Sequence, residues 1–380
     1  MMSHRSRQEL LDTARPRYAQ AKRGEKTVIL NELIANSGYN RKYAITLLRH
    51  PRETPLRRKR RGKRRYSLQV QAALITVWRS SNCICGKRLV PCMETFVGAL
   101  ERHSELTLDA DTRRLLLSIS PATADRLLHH ERQNKGRGLS TTKPGTLLKK
   151  NIPIRTFADW DDKRPGFFEA DLVAHCGDCS AGDFVHTLML VDVATGWTDF
   201  EPLVHKSQKA VTAAIDRIRK RLPYPMLGLD SDNGAEFING TLARYCALYH
   251  ITFTRSRPYK KNDQPYVEQK NWSVVRQMVG YDRYEGPRAA RQMEALYDHL
   301  RPYVNYFQPL MKMTTKKRIG SRLYKQYDMA RTPYQRVLDV PEASADSKAQ
   351  LQQQFLALNP AAQLRHIHQL QEELWQLAKG

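Results

Sequence analysis

From residue 167 onward, apolar runs of strand length alternate with segments of helical period, and this order constrains the fold more than any other feature of the chain. FFEADLVAHC reads as a buried strand, CGDCSAGD as a turn, FVHTLMLVDV as a second strand, and WTDFEPLV as a third after the turn Ala194-Thr195-Gly196. SQKAVTAAIDRIRKRL then places Val211, Ala214, Ile215, Ile218 and Leu222 on one helical face. MLGLDSDNG is a fourth strand ending in a turn, TLARYCALY a helix and ITFTRSR a fifth strand. A last helix spans about 265–279 and stops at Gly280, a residue that ends helices readily. A three-strand meander followed by helix, strand, helix, strand, helix is the order of an α/β core with one mixed five-stranded sheet.

The chain ahead of this core reads as helical. Residues 6–22 form one helix, and 27–49 form two helices around a tight turn at Ser37-Gly38. Val28, Leu30, Leu33 and Ile34 share one face of the first, and Tyr43, Ala44 and Leu47 face inward from the second. This is the helix-turn-helix pattern, in which the second helix enters the DNA major groove. Arg41 and Lys42 stand at its leading end. A basic tract follows, with eight Lys or Arg among the nine positions 57–65, including Arg57, Arg58, Lys59, Arg60 and Arg61. A block of like charges repels itself and suits an arm laid along phosphates, or a nuclear import signal, more than a packed element. Residues 67–132 are helical again. Their last helix has Ser120 as cap and Pro121 in its first turn, and with DTRRLLLSI before it forms a second candidate helix-turn-helix. Arg126, His130 and Arg132 are its candidate contacts to DNA. Residues 133–151, rich in Gly, Ser and Lys without periodicity, read as a linker.

Charge points to the same partner. The chain has 63 Lys and Arg against 38 Asp and Glu, a formal +25. Residues 1–165 hold 35 basic and 15 acidic side chains, whereas 166–283 hold 14 of each. A basic surface confined to one half of a chain gains affinity for a polyanion by releasing its counterions, so the N-terminal half is read as gripping nucleic acid. No apolar run reaches the roughly 20 residues of a membrane span, and nothing behind the first basic residues resembles a secretory core. A cytoplasmic, nucleoid-associated protein without a membrane partner is the expectation. Six cysteines in 380 residues do not make a disulfide framework.

The acidic residues fall at telling places in the core. Asp171 lies within the first strand, Asp232 ends the fourth in Asp230-Ser231-Asp232-Asn233-Gly234, and Glu268 sits in the first turn of the last helix. If strands one and four are neighbours, Asp171 and Asp232 project side by side and Glu268 faces them. Three carboxylates so concentrated repel unless cations hold them, and hard oxygen ligands suit Mg²⁺ or Mn²⁺. Two such ions about 4 Å apart activate an attacking oxygen and stabilise a leaving one. Period-two alternation makes Glu169 a rival of Asp171, and Asp230 a rival of Asp232. Asp192 reads as a turn acid, and Glu236 as a partner for backbone or an arginine.

FFEADLV, GLDSDNGAEF, TRSRPYKKND and VEQKN arrive in this order, with thirty-five residues between Asp232, which Asn-Gly follows, and Glu268, and with Asn271 one helical turn further on. In this the chain resembles the integrase-core (RNase H-like) DDE transposases and retroviral integrases, and most of all a bacterial insertion-sequence transposase. The resemblance covers roughly 165–285. It implies a D,D,E triad of Asp171, Asp232 and Glu268 holding two Mg²⁺ or Mn²⁺ ions. It also implies nicking at terminal inverted repeats, strand transfer into target DNA, and a homodimer or higher oligomer on double-stranded DNA. Arg255, Arg257, Lys260, Lys261, Lys270, Asn271 and Arg276 become candidate contacts to the DNA ends. The chain departs from the pattern at Trp272 and Val275, where retroviral integrases carry Lys; the nearest base is Arg276, further round the helix. The alternatives of other class are a nuclease of this fold that only hydrolyses, and a DNA-binding regulator with an inactive core.

The remaining segments are less specific. His175-Cys176-Gly177-Asp178-Cys179 contains an isolated CxxC, and Cys83, Cys85 and Cys92 fit no common zinc spacing. Residues 288–306 form an amphipathic helix, TPYQRVL resembles a closing segment of such transposases, and Leu364, Ile367, Leu370, Leu374 and Leu377 line a seam near the end. The reading is therefore multidomain. A helix-turn-helix domain spans 1–55, a basic arm 56–66, a second helical domain 67–132, a linker 133–164, the α/β core 165–285, and a helical C-terminal region 286–380.

Overall fold

The computed structural model describes residues 3–49, 66–132, 164–232, 234, 236–256, 264–319 and 321–379. The basic-arm residues Arg57, Arg58, Lys59, Arg60 and Arg61, and the loop residues Arg257, Lys260 and Lys261, lie outside the described residues. Two compact units make up the chain, Met1–Arg65 and Tyr66–Gly380. Among the described residues no helix is long and apolar enough to cross a membrane.

The first unit contains α1 (His4–Gln20), α2 (Arg23–Ser37) and α3 (Arg41–Arg49). Leu11, Ala14 and Tyr18 of α1 pack on Ile29, Leu30 and Leu33 of α2 and on Ala44 and Leu48 of α3. Gly38 ends α2 at φ +72°, a conformation that costs glycine little. Two inward assignments are corrected here. Val28 is 58% and Tyr43 48% exposed, because the packed stripe runs one position away, through Ile29 and Leu48.

The second unit opens with α4 (Leu68–Ser80), α5 (Gly86–Leu89), α6 (Met93–Arg102), α7 (Ala110–Leu117), α8 (Pro121–Leu127) and α9 (His129–Arg132). It continues with β1 (Phe167–Ala174), β2 (His186–Asp192), β3 (Thr198–Leu203), α10 (Gln208–Arg221), β4 (Gly228–Ser231), α11 (Gly240–Leu248), β5 (Thr252–Arg255) and α12 (Pro265–Lys270). The mixed five-stranded sheet has the order β3-β2-β1-β4-β5. The meander β1–β3 is antiparallel, while β4 pairs parallel with β1 and β5 parallel with β4. Every residue of β2 is buried, as expected of a strand covered on both faces.

Beyond the sheet come α13 (Gly286–Phe307), β6 (Met313–Ile319), β7 (Arg322–Tyr327), α14 (Pro333–Asp339), α15 (Ala345–Ala357) and α16 (Pro360–Trp375). The C-terminal region is therefore not purely helical, since β6 and β7 pair as an antiparallel ribbon.

Residues 66–132 do not keep a core to themselves. Leu74, Val77, Phe96 and Leu100 belong to the same buried cluster as the sheet and α13. Phe96 and Phe307 meet at 5.8 Å, the Tyr303 hydroxyl donates to the Ser80 carbonyl at 2.8 Å, and Arg88 Nε donates to the Pro309 carbonyl at 2.6 Å. Ser120 caps α8 as expected, accepting from the Thr123 N–H. The helix is nevertheless pinned to α5, because Asp125 accepts from the Gly86 N–H at 2.8 Å and from Arg132 at 2.7 Å. Arg132 also lies over the Trp78 ring, so it serves the fold, while Arg126 and His130 stay exposed.

Candidate active site

Strand pairing brings four carboxylates onto one face of the sheet. In the parallel register of β1 and β4, Glu169 faces Asp230 and Ala170 faces Ser231. One step beyond the last pair, this register sets Asp171, in the middle of β1, next to Asp232, just past the end of β4. The two pairs occupy different depths, and this separates their roles.

Glu169 and Asp230 are fully buried. Glu169 Oε2 accepts from the backbone N–H groups of Tyr266 and Val267 at 2.9 and 3.0 Å. These are orphan donors in the first turn of α12, and a carboxylate there is also favoured by the helix dipole. Asp230 accepts from Thr254 Oγ1 at 2.6 Å and Gln264 Nε2 at 3.0 Å. The two rivals of the sequence reading are thus struts that fix the start of α12, the helix that carries Glu268.

Asp171 and Asp232 form the outer pair. Asp171 accepts from its neighbour Leu172 N–H at 2.8 Å and from Asn271 Nδ2 at 2.6 Å. Burial, then the Asp232 carboxylate, and more weakly that of Glu268, push Asp171 up to about 7, against the pull of those two donors. Burial first and the Glu236 carboxylate second raise Asp232, whose Oδ1 accepts from the Gly234 N–H at 2.9 Å. Glu268 is exposed on α12. Asp171 is thus within electrostatic reach of both Asp232 and Glu268.

Glu236 is closer to this group than its sequence reading allowed. A Cβ on Gly234 would stand 2.8 Å from the Glu236 carboxyl carbon and 3.0 Å from Asp232 Oδ1. The glycine thus lets two carboxylates close on one backbone position. Lys206, exposed between β3 and α10, is near enough to Asp232 to lower its pKa. It was missed because nothing in VHKSQ marks it; only the sheet brings it to Asp232.

The donor set suits a hard divalent cation in kind. It consists of oxygens, the Asp232 and Glu268 carboxylates disfavour the charge on Asp171, and the buried Asn271 Oδ1 beside Asp171 has no hydrogen-bond partner among the described residues. Among the described residues no three His, Cys, Asp or Glu side chains are gathered closely enough to form a finished cage.

The helix bearing Glu268 changes pitch at the site. After α12, residues Asn271–Arg276 run as a π-helix, a form found mostly at functional positions. Val275 is fully buried and Trp272 57% exposed, so position 275 offers no side chain to solvent. Arg276 does not fill the gap left there. Its guanidinium donates to the Ala174 and Gly280 carbonyls and lies over the Tyr281 ring. Arg255 is only 6% exposed within β5. Lys270 is half-buried, and burial together with the nearby Arg88 pushes it down to about 7. Of these three expected DNA contacts, Arg255 is buried within a strand, while Lys270 and Arg276 are half-buried on the helix. Asn271 is brought to Asp171, and Arg41 and Lys42 are exposed in the first unit.

Other acids and thiols have local tasks. Asp192 is fully buried and accepts from Gly166 N–H, Thr195 N–H and Thr195 Oγ1, as suits a turn acid. Arg283 gathers the CxxC loop, donating to the carbonyls of Cys176, Cys179, Ala181 and Asp183. Cys176 and Cys179 are free thiols.

Uncharacterized protein y4rM of Sinorhizobium fredii is 41% identical over 332 residues, which span 86% of this chain and 93% of that protein. The chain belongs to the y4rM family. No family model matches it. Among solved structures, similar chains include the catalytic core domain of BIV integrase, at 19% identity and TM-score 0.29, over 45% of this chain and 91% of that one. The HTLV-2 integrase catalytic core domain in complex with magnesium is similar at 14% identity and TM-score 0.30, over 40% of this chain and 93% of the other.

Proposed function

We propose that the chain is a DNA transposase that cleaves strands at element ends and joins the freed 3′ ends to target DNA. The observation that carries this reading is the parallel pairing of β1 with β4. Continued one step, that register would put Asp171 next to Asp232, and with Glu169 holding the start of α12, the charges of Asp232 and Glu268 both act on Asp171. The ordered motifs FFEADLV, GLDSDNGAEF and VEQKN supply the likeness to DDE enzymes.

Asp171, Asp232 and Glu268 would hold Mg²⁺ or Mn²⁺, with the Asn271 carbonyl as a further oxygen nearby. Bound divalent ions supply activation of the attacking oxygen and stabilisation of the leaving one in an in-line displacement. The remaining residues position. Asn271 orients the Asp171 carboxylate through its amide, Glu169 and Asp230 fix α12, and Lys206 offers a positive charge for a phosphate beside Asp232. In the first unit, Arg41 and Lys42 at the start of α3 would contact the element ends, with Arg41 donating to the side-chain Oδ1 of Asn31 at 2.7 Å.

The test is to sequence the DNA flanking the gene for short inverted repeats and to assay strand transfer with Mg²⁺ on a duplex bearing them. The wild-type chain should yield joined product. Asp232→Asn and Glu268→Gln should each abolish joining while leaving duplex binding intact. Full activity in either variant would overturn the site assignment, and hydrolysis without joining would reduce the reading to a nuclease.

A further inference from the structure

The ribbon of β6 and β7 is the feature of the second unit that neither the sheet chemistry nor the helical core uses. Its root is firmly built. Leu310 and Arg331 exchange both backbone hydrogen bonds, and Lys312 N–H donates to Asp328 Oδ1 at 2.6 Å. Asp328 also pairs with Arg336 of α14 at 2.7 Å. The Lys312 ammonium donates to the Val193 and Ala194 carbonyls at the turn between β2 and β3, and lies 5.6 Å from the centre of the Tyr266 ring. Tyr266 sits two positions before Glu268 on α12. The ribbon is therefore rooted against the helix that carries the third carboxylate.

Beyond that root the ribbon leaves the core. Met313, Tyr324 and Tyr327 are 47, 50 and 48% exposed, and Lys317 and Lys325 are exposed as well. Residues 313–327 contain five Lys or Arg and no Asp or Glu. The whole stretch 284–380 has 14 basic and 9 acidic residues, so this concentration is local. Lys316 is the register partner of Lys325, and Lys317 that of Tyr324. Protecting a free strand edge from aggregation requires only a charge or two, of either sign. Five cations without an acid exceed that need and match a polyanion.

Geometry selects the kind of polyanion. A two-stranded β-ribbon fits the B-DNA major groove, which is about 12 Å wide. Seven residues of strand reach roughly 23 Å at about 3.3 Å each, most of one helical turn of the duplex. We propose that the β6–β7 ribbon is a duplex-DNA-binding finger. Lys317 and Lys325 contact backbone phosphates, and Tyr324 offers its hydroxyl as a further donor to the groove or backbone. The finger grips the DNA adjoining the segment presented to Asp171, Asp232 and Glu268. This rests on the reading of the chain as a DNA-processing enzyme and adds a gripping element outside the N-terminal helices.

The experiment measures the affinity of the full-length chain for a 30-base-pair duplex across a salt series, without divalent metal. The wild type is compared with Lys317→Ala/Lys325→Ala and with the charge-keeping Lys317→Arg/Lys325→Arg. Each lost phosphate contact lowers the slope of log K against log salt by about 0.9. The alanine pair should therefore show a slope shallower by about 1.8 and, at 0.1 M salt, affinity weaker by several tens-fold. The arginine pair should keep both values. Both lysines are exposed, so thermal melting should be unchanged in either variant, and an alanine pair that failed to fold would itself contradict a surface role. Wild-type slope and affinity in the alanine pair would overturn the finger while leaving the transposase reading intact. A wild-type chain that bound no duplex would overturn both. A change in self-association of the alanine pair, with its salt slope unchanged, would assign the ribbon to a second copy of the chain.

Discussion

Replacing Asp171 with Asn should make the protein inactive and, at the same time, more stable in the absence of metal. The fold raises this carboxyl from the ordinary aspartate value of 3.8 to about 7, by burial first and then by the charges of Asp232 and Glu268. Each tenfold shift in acidity corresponds to about 1.4 kcal/mol, so ionised Asp171 costs the folded state up to about 4 kcal/mol. The sign follows from linkage. Below pH 3.8 the group is protonated in both folded and unfolded chains and there is no penalty. The penalty grows as pH rises from 3.8 to 7, and is complete above 7. Asn keeps the shape and an oxygen acceptor for the Asn271 amide, which donates to Asp171 at 2.6 Å, but never ionises. Denaturant unfolding with EDTA at pH 8 should show Asp171→Asn more stable by about 2–4 kcal/mol, with the two chains converging near pH 4. Adding Mg²⁺ at pH 8 should then raise the wild-type midpoint and leave the variant's nearly unmoved. A variant less stable than wild type at pH 8, or a gain independent of pH, would refute the electrostatic account of the site.

The strut beneath the triad and one glycine give two further tests. Glu169→Ala leaves the N–H groups of Tyr266 and Val267 without their buried acceptor. Stability should fall by about 1–3 kcal/mol, and strand transfer should slow with duplex affinity retained; unchanged turnover would remove Glu169 from the positioning of α12. Gly166, at φ +103°, has the Pro225 carbonyl oxygen 2.6 Å from where a Cβ would lie. Gly166→Ala should cost about 1–3 kcal/mol in denaturant unfolding, and a neutral result would mean that the turn leading into β1 adapts freely.

Much of the core was legible in sequence because period-two and 3.6-residue patterns report burial directly. FFEADLVAHC, FVHTLMLVDV and WTDFEPLV became β1, β2 and β3, and Val211, Ala214, Ile215 and Ile218 became the buried face of α10. That Asp171 lies in a strand, Asp232 just after one and Glu268 in the first turn of a helix could likewise be read, since strands and a helix start leave local signals. Which carboxylate of each strand does what could not. Glu169 and Asp171 alternate identically, and only the N–H groups of α12, nearly a hundred residues away, make one a strut. The sequence also could not show that Val275 is buried, or that Arg276 is spent on the Ala174 carbonyl, because both depend on the π-turn and on the side of the helix the core covers. The ribbon at 313–327 lay hidden for a related reason. Its strands show no alternation of apolar and polar residues, and Gly-Ser at 320–321 was the local cue to a hairpin. Local periodicity determined the elements. Pairing between residues far apart in the chain decided which charges would meet, because burial and mutual repulsion act through space, whatever the distance along the chain.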